Sequence, residues 1–223
     1  MKKVIKGVKR FKTETRESYK KKYTKLVKGQ NPEALFITCA DSRIDPNHFT
    51  SLEPGDLFIL RNIGNMIPPC GVNGIAFGSP SVGAAIEYAI GQLKLKDIIV
   101  CGHSECGAID AMYGDVPLEG MSNLEAWLNL QDTEIPDDLP GLIQDEALSE
   151  LNRFSQINVL KQIAHLKTYP VVYKKINQGN LKLHAWWFDI EHANLYEYRV
   201  KEKMFKIIYK VPGKVKKTRK KTM

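Results

Sequence analysis

Continuous apolar runs along the chain predict strands that are buried on both faces. Three such runs lie at Ala34 to Cys39, Leu57 to Leu60 and Ile98 to Cys101. Ser81 to Leu93, which precedes the third run, has the small and apolar residues of a closely packed helix. Strand, helix and strand in this order predict a right-handed crossover. We therefore expect an α/β fold with a mainly parallel central β-sheet flanked by helices.

The second half of the chain alternates between helical and strand-like patterns. Apolar-periodic stretches at Met121 to Leu130 and Leu142 to Leu166 predict helices on either side of an acidic loop at Asp132 to Pro140. Pro170 opens a further short helix. Extra strands, some of them at the edge of the sheet, are expected near the C-terminus at Leu181 to Ile190, Leu195 to Val200 and Met204 to Tyr209.

Charge is concentrated at the two ends of the chain. Apolar and semi-polar positions recur at helical spacing from Phe11 to Val27, which predicts an amphipathic helix. The formal net charge is +8, yet residues 1–28 carry 12 Lys and Arg against 2 acids, and residues 212–223 carry 6 with none. We predict a basic N-terminal helical arm (1–28), one α/β domain (29–211) and a basic C-terminal tail (212–223). Both ends are interpreted as solvated, with nucleic acid or a membrane surface as the alternative partner.

The rest of the composition excludes several classes. No apolar stretch approaches the ~20 residues that a membrane span needs, and residues 1–28 are too charged for a signal peptide. We expect a cytoplasmic protein, in which Cys70 and Cys101 stay free thiols. The Gly- and Pro-rich stretch from Ile67 to Pro80 lacks the ending of a phosphate-binding loop, so a nucleotide site is not expected.

Candidate metal ligands stand where two of the predicted strands end. Cys39 ends the first run, and His103 and Cys106 follow the third. Open α/β sheets bind ligands beyond the carboxyl ends of their strands, and a catalytic zinc takes three protein ligands. On the residues alone, a buried His–Cys pair and a thiol enzyme with Cys106 as nucleophile and His103 as base are alternatives. Cys101 also competes for the metal, because side chains two apart on a strand point the same way.

Two motifs carry a resemblance to a known family. They are Cys39 to Arg43, which reads Cys-Ala-Asp-Ser-Arg, and His103 to Gly107, which reads His-Ser-Glu-Cys-Gly. The pair resembles the β-class carbonic anhydrases, in particular the plant-type subgroup. Arg61 to Asn65 matches the Arg-Asn-x-x-Asn segment of that family, whereas Ala40 replaces the serine that is common there.

The resemblance implies a zinc lyase. Cys39, His103 and Cys106 would bind one Zn²⁺ per subunit, and Cys101 would not. The implied reaction is the reversible hydration of carbon dioxide to bicarbonate and a proton by zinc-bound hydroxide. A hydrolase of carbon disulfide or carbonyl sulfide on the same fold and a non-catalytic zinc protein are the alternatives.

Asp41 could serve as a fourth metal ligand or as a hydrogen-bond acceptor. A bidentate pair with Arg43 would hold the carboxylate away from the metal and lower its pKa, which favours the acceptor. The resemblance implies the same catalytic role for the pair. Family members that close the site through this aspartate have a tryptophan and a glycine where this chain has Phe36 and Thr38, so we expect Asp41 to stay paired to Arg43.

The resemblance also implies a small substrate pocket. Phe58 and Tyr88 would form its apolar walls and Gln30 its polar end, while Gly107 would let a helix begin close to the zinc. In plant-type members the glutamine reaches into the neighbouring subunit's site, and N-terminal helices pack on the partner. A homodimer or a dimer of dimers is therefore expected. The plain alternative is that the glutamine is an exposed loop residue and the aromatic rings are ordinary core.

Overall fold

The apolar runs form the centre of a six-stranded sheet. A computed structural model of the chain describes residues 1–114, 116–130 and 145–209. Within them the strands are β1 (Ala34–Cys39), β2 (Leu57–Asn62), β3 (Asp97–His103), β4 (Lys182–Asp189), β5 (Asn194–Arg199) and β6 (Met204–Ile207). Their order in the sheet is β2-β1-β3-β4-β5-β6; the first four strands pair in parallel, and the pairings of β4 with β5 and of β5 with β6 are antiparallel. The expected mainly parallel sheet with extra edge strands is confirmed.

Helices flank the sheet and form the N-terminal arm. They are α1 (Lys2–Arg10), α2 (Arg16–Leu26), α3 (Pro46–Thr50), α4 (Pro80–Gly91), α5 (Gly107–Tyr113), α6 (Ser122–Leu128), α7 (Glu150–Lys167) and α8 (Pro170–Asn177). A π-helical turn at Phe11–Thr15 joins α1 to α2, and a short 3-10 turn at Ile63–Asn65 follows β2.

Two helix boundaries differ from the prediction. The arm is helical from Lys2 rather than from Phe11, because the apolar stripe continues backward through Val4 and Val8. α7 begins only at Glu150, because the Oγ of Ser149 caps it by accepting a hydrogen bond from the third residue of the helix. The predicted acidic loop (132–140) and the basic tail (212–223) lie outside the described residues.

Neighbouring parallel strands bring their carboxyl ends to one edge of the sheet. The register sets Thr38 of β1 opposite Cys101 of β3, and Cys39 opposite Asn62 of β2. All six residues of β1 are buried, as expected for a strand with helices over both faces. The side chains that follow β1 and β3 therefore meet at this edge.

α7 crosses directly over the end of β3. Gly102 is needed at this contact, because an added Cβ would lie 2.6 Å from the Cγ2 of Val159. Val159 is fully buried in the main core, which also contains Leu35 and Val100. Because the helix touches the strand so closely, side chains on its first turns reach the residues that follow β3.

The N-terminal arm contributes no buried side chain to its own chain. None of the residues of α1, the π-helical turn or α2 is buried, and Val4, Val8 and Phe11 are exposed. Lys22 of α2 ties the arm to the body by ion pairs with Glu53 and Asp56. Within the part of the chain that the structure describes, no helix has both the length and the apolar character to cross a membrane.

Candidate metal centre

Three metal-ligating side chains converge at the edge where β1 and β3 end. Cys39 is the last residue of β1, His103 is the last residue of β3, and Cys106 precedes the first residue of α5. Their ligand atoms all lie within 4.8 Å of one another, and all three residues are buried. The two sulfur atoms are 4.0 Å apart, far beyond the 2.05 Å of a disulfide.

His103 presents one ring nitrogen without a partner. Its Nδ1 lies 2.8 Å from the carbonyl oxygen of Ser104, and a carbonyl can only accept, so we assign the N–H to Nδ1. The remaining nitrogen, Nε2, is buried and has no hydrogen-bond partner. A buried polar atom without a partner is costly, and here it carries the lone pair that a metal would take.

The donor set fits zinc. Two thiolates that each lie about 2.3 Å from a tetrahedral zinc are about 3.8 Å apart, close to the 4.0 Å between Cys39 and Cys106. Sulfur and imidazole donors are those that zinc prefers, and three protein ligands are the number found in catalytic sites.

The thiols of Cys39 and Cys106 contact each other, and this contact shifts their pKa values in opposite directions. The hydrogen bond from Cys106, the neighbouring ring of His103 and the backbone N–H groups of Asp41 and Gly64 outweigh burial and lower the pKa of Cys39 below its ordinary value. The same contact and burial raise the pKa of Cys106 above its ordinary value. The pocket therefore favours a thiolate at Cys39 even before a cation adds its own attraction.

Asp41 is held in place by Arg43. The Oδ1 of Asp41 accepts from the Nε of Arg43 at 3.0 Å and from its backbone N–H at 2.9 Å, and Oδ2 accepts from Nη2 at 2.6 Å. These bonds hold the pKa of Asp41 well below its usual range. Oδ2 is also 3.9 Å from the Nε2 of His103. The carboxylate therefore stands beside the three ligands as an acceptor with a fixed plane.

Arg61 secures the segment that follows β1. Its Nε donates to the carbonyl oxygen of Cys39 at 3.0 Å, and its Nη2 donates to that of Asp41 at 2.7 Å. Asn62 bonds the backbone of Met66 in both directions, at 2.7 and 2.8 Å, and closes the turn after β2. The Arg-Asn-x-x-Asn pattern marked this segment in the sequence, but only the contacts reveal its supporting role.

A groove opens beside the centre. It has a volume of about 540 Å³, and its lining includes Ala40, Asn62, Ile63, Leu124 and Trp127. The Nε1 of Trp127 donates to the carbonyl oxygen of Ile63 at 2.9 Å and fixes one wall. Ala40, which directly follows Cys39 in the chain, is the lining residue that connects this groove to the metal-ligating group.

The predicted substrate residues fall into two groups. Gly107 directly follows Cys106, and the space where its Cβ would lie is open. Phe58 and Tyr88 pack on each other with ring centroids 5.7 Å apart, and Tyr88 is 46% exposed. Phe58 lies opposite Leu35, which is four residues before the end of β1 and so about 13 Å from it.

The chain therefore does not bring its own aromatic pair, Phe58 and Tyr88, to its own metal ligands. Gln30 is exposed in the segment before β1, also at the far end of the strand from Cys39. The assignment of these three residues to a substrate pocket stays a prediction, and it requires a second copy of the chain.

The other cysteines and histidines lie apart from the centre. Cys101 is fully buried and packs with Phe36 and Phe188, so the competition that strand alternation suggested does not arise. Burial raises the pKa of its thiol. Cys70 and the remaining histidines of the described residues are not part of the metal-ligating group: His48, His165, His184 and His192.

Comparisons with known proteins agree with this geometry. A family model described as carbonic anhydrase matches residues 34–195. The carbonic anhydrase of Synechococcus elongatus is 40% identical over 205 residues, which cover 88% of this chain and 71% of the relative. That of Pseudomonas aeruginosa is 35% identical over 195 residues, covering 87% and 86%.

Solved structures show the same similarity. The β-carbonic anhydrase CcaA superposes with a TM-score of 0.81 at 34% identity, over 93% of this chain and 98% of that chain. A tetrameric β-carbonic anhydrase from the filamentous ascomycete Sordaria macrospora superposes with a TM-score of 0.64 at 30% identity, over 88% and 92%.

Proposed function

This chain belongs to the β-carbonic anhydrase family, and we propose that Cys39, His103 and Cys106 hold the zinc ion of its active site. The chain catalyses the zinc-dependent, reversible hydration of carbon dioxide to bicarbonate and a proton. The observation that carries the ligand assignment is the convergence of three buried donors within 4.8 Å, with the Nε2 of His103 left unpaired. A zinc bound there would lower the pKa of a water molecule to about 7 and so supply a nucleophile near neutral pH.

Asp41 and Arg43 orient the attacking water. Because Arg43 keeps Asp41 ionised, the carboxylate can only accept a hydrogen bond, and it cannot donate one. An acceptor on this side takes one proton of the water into a hydrogen bond and leaves a lone pair free for the carbon atom of the substrate. The two bonds from Arg43 to Oδ2 and Oδ1 also keep Asp41 from swinging onto the metal.

The substrate pocket is proposed to be completed by a second subunit. Phe58 and Tyr88 pack on each other far from the end of β1 that carries Cys39, and Gln30 is exposed in the segment before β1. Exposed apolar positions on α1, such as Val4 and Val8, would be buried against the partner in the same assembly. A dimer or a dimer of dimers is consistent with the tetrameric relatives from Sordaria macrospora.

Cytoplasmic residence is a further part of the proposal. All four cysteines are free, and thiols persist in a reducing compartment. We do not propose that the basic ends of the chain contact nucleic acid or a membrane surface.

Zinc content and gas turnover on one preparation test the function directly. Pure protein should carry about one zinc per chain, hydrate carbon dioxide in a stopped-flow indicator assay, and turn over carbonyl sulfide and carbon disulfide far more slowly. Zinc without hydration would favour a non-catalytic zinc protein. Hydration or hydrolysis by zinc-free protein would instead favour thiol chemistry at Cys106.

Mixed assemblies test the shared pocket. Cys39→Ser removes a ligand, and the double variant Phe58→Ala, Tyr88→Ala removes the aromatic walls, so each homogeneous protein should have lost most of its activity. Co-folding the two chains should restore activity, because a mixed dimer contains one site with intact ligands and intact walls. No recovery, in mixtures that demonstrably contain mixed dimers, would contradict the shared pocket.

The arm provides the control for this experiment. Because none of its helical residues is fully buried in its own chain, deletion of residues 1–28 should weaken the dimer and abolish the recovery. Deletion of residues 214–223, a stretch rich in lysine and poor in apolar residues, should leave the recovery unchanged.

A further inference from the structure

The turn that carries two of the proposed metal ligands contains a strained residue. Glu105, between His103 and Cys106, has a φ of 53°, in the left-handed region that residues with a Cβ rarely adopt. A return to negative φ would redirect the chain after Glu105 and move Cys106 relative to His103. Contacts from outside the turn must therefore hold this conformation.

Asn152 on α7 supplies two of these contacts. Its Oδ1 accepts a hydrogen bond from the backbone N–H of Glu105 at 2.8 Å, and its Nδ2 donates to the Oε1 of Glu105 at 2.9 Å. Arg43 donates from Nη2 to the carbonyl oxygen of Glu105 at 2.8 Å. The N–H, the carbonyl and the carboxylate of Glu105 are thus all engaged.

The start of α7 fixes Asn152 in turn. The backbone N–H of Asn152 donates to the Oγ of Ser149 at 3.3 Å, which makes it the third residue of a capped helix. A polar side chain at this position often bonds back to the cap, but here it bonds to Glu105. One turn later, the Oγ of Ser155 donates to the carbonyl oxygen of His103 at 2.7 Å and accepts from the Nε1 of Trp187 at 3.1 Å. α7 therefore forms hydrogen bonds with this segment at two residues, His103 and Glu105.

We propose that Asn152 is a positioning residue for the metal site. Through Glu105 it holds the metal-binding turn in its strained shape, and through Arg43 it steadies the plane of Asp41. The inference rests on the proposed function, because it concerns how the chain keeps its zinc ligands in place. In other zinc sites, replacing a residue that supports the metal ligands without touching the metal changes metal affinity or activity by roughly 10- to 100-fold.

The substitution Asn152→Leu, made both in the wild type and in a Glu105→Gly variant, tests the proposal. Asn152→Leu should release zinc to an excess of chelator roughly 10-fold faster than the wild type, and kcat for hydration should fall more than KM rises. Glycine adopts a positive φ without strain. In the Glu105→Gly background, Asn152→Leu should therefore accelerate zinc release by less than about 2-fold, because the turn then keeps its positive φ without strain and no longer depends on Asn152.

The controls separate this role from general stability. Glu150→Gln, at an exposed position on the first turn of the same helix, should release zinc at the wild-type rate. Equal acceleration by Asn152→Leu in both backgrounds would overturn the proposal, because Asn152 would then act only on the stability of α7. Asn152→Ser serves the same comparison if the leucine variant does not fold. Wild-type protein that binds no zinc would refute the proposed metal site instead.

Discussion

Replacing Cys39 with serine should remove zinc and hydration activity together. A catalytic zinc has three protein ligands, so the loss of one leaves a site too weak to retain the ion. We expect hydration to fall at least about 100-fold and zinc content to fall to a small fraction of one per chain. Cys106→Ser and His103→Ala should behave alike. Metal analysis and stopped-flow hydration on the same preparations measure both quantities.

Cys101→Ser is the matched control for these variants. Cys101 is as deeply buried as the ligands, but it packs among apolar residues on the sheet. Its replacement buries a hydroxyl group and should lower the free energy of unfolding by about 1–3 kcal/mol while zinc and activity stay. Zinc loss in Cys101→Ser together with retention in Cys39→Ser would show that the ligand assignment is wrong.

Arg43→Ala should inactivate the enzyme without removing its zinc. The substitution deletes the side-chain bonds to both oxygens of Asp41 and the bond to the carbonyl oxygen of Glu105, and leaves only the backbone N–H of residue 43 bonded to Asp41. A carboxylate released beside an open position binds the metal, so we expect hydration to fall by roughly 100-fold. A structure near pH 7.5 should then place an Asp41 oxygen within about 2.2 Å of zinc.

In the wild type, we expect the fourth coordination position of the zinc to stay free of Asp41. Because Arg43 holds the pKa of Asp41 well below its usual range, Asp41 remains ionised and paired throughout mildly acidic and neutral solution. Activity should therefore decline with falling pH as a single titration, without a cooperative step. An Asp41 oxygen already bound to zinc in the wild type would contradict the open site.

Arg199 offers a control for the loss of an arginine–carboxylate pair as such. Its Nη1 lies 2.6 Å from the Oε2 of Glu197 on β5, as close as the pair of Arg43 and Asp41. Arg199→Ala should leave both zinc and hydration unchanged, because partly exposed pairs away from the site contribute about 0–1 kcal/mol to stability. A comparable loss of activity in Arg199→Ala would contradict the role that we assign to Arg43.

Local sequence patterns predicted most of the metal centre. β-branched and apolar runs predicted β1 and β3 because both strands are buried on both faces. Since parallel neighbours end at the same edge, ligands that follow these strands had to come close together. The pair of Asp41 and Arg43 was predictable for a similar reason, because residues so near in sequence can meet without help from the rest of the fold.

The long-range supports were not predictable. Asn152 and Ser155 carry no motif, and they reach the turn after β3 only because α7 crosses over Gly102. The start of α7 was also predicted too early, since apolar periodicity does not reveal which serine caps a helix. These contacts join residues far apart in the chain, so they depend on how a crossover helix packs and not on local preference.

The sequence by itself predicted the parallel sheet and the basic ends, because each depends on residue type over a short stretch, and the resemblance of two motifs implied the ligand triad. Only the tertiary structure decided which nitrogen of His103 is free, that Cys101 packs away from the metal, and that Phe58 and Tyr88 lie far from the ligands of their own chain. The physical reason is that strand register converts a separation in sequence into a distance in space. Four residues along the sheet separate the level of Phe58 from the end of β1, so the aromatic pair lies far from the metal-ligating group of its own chain.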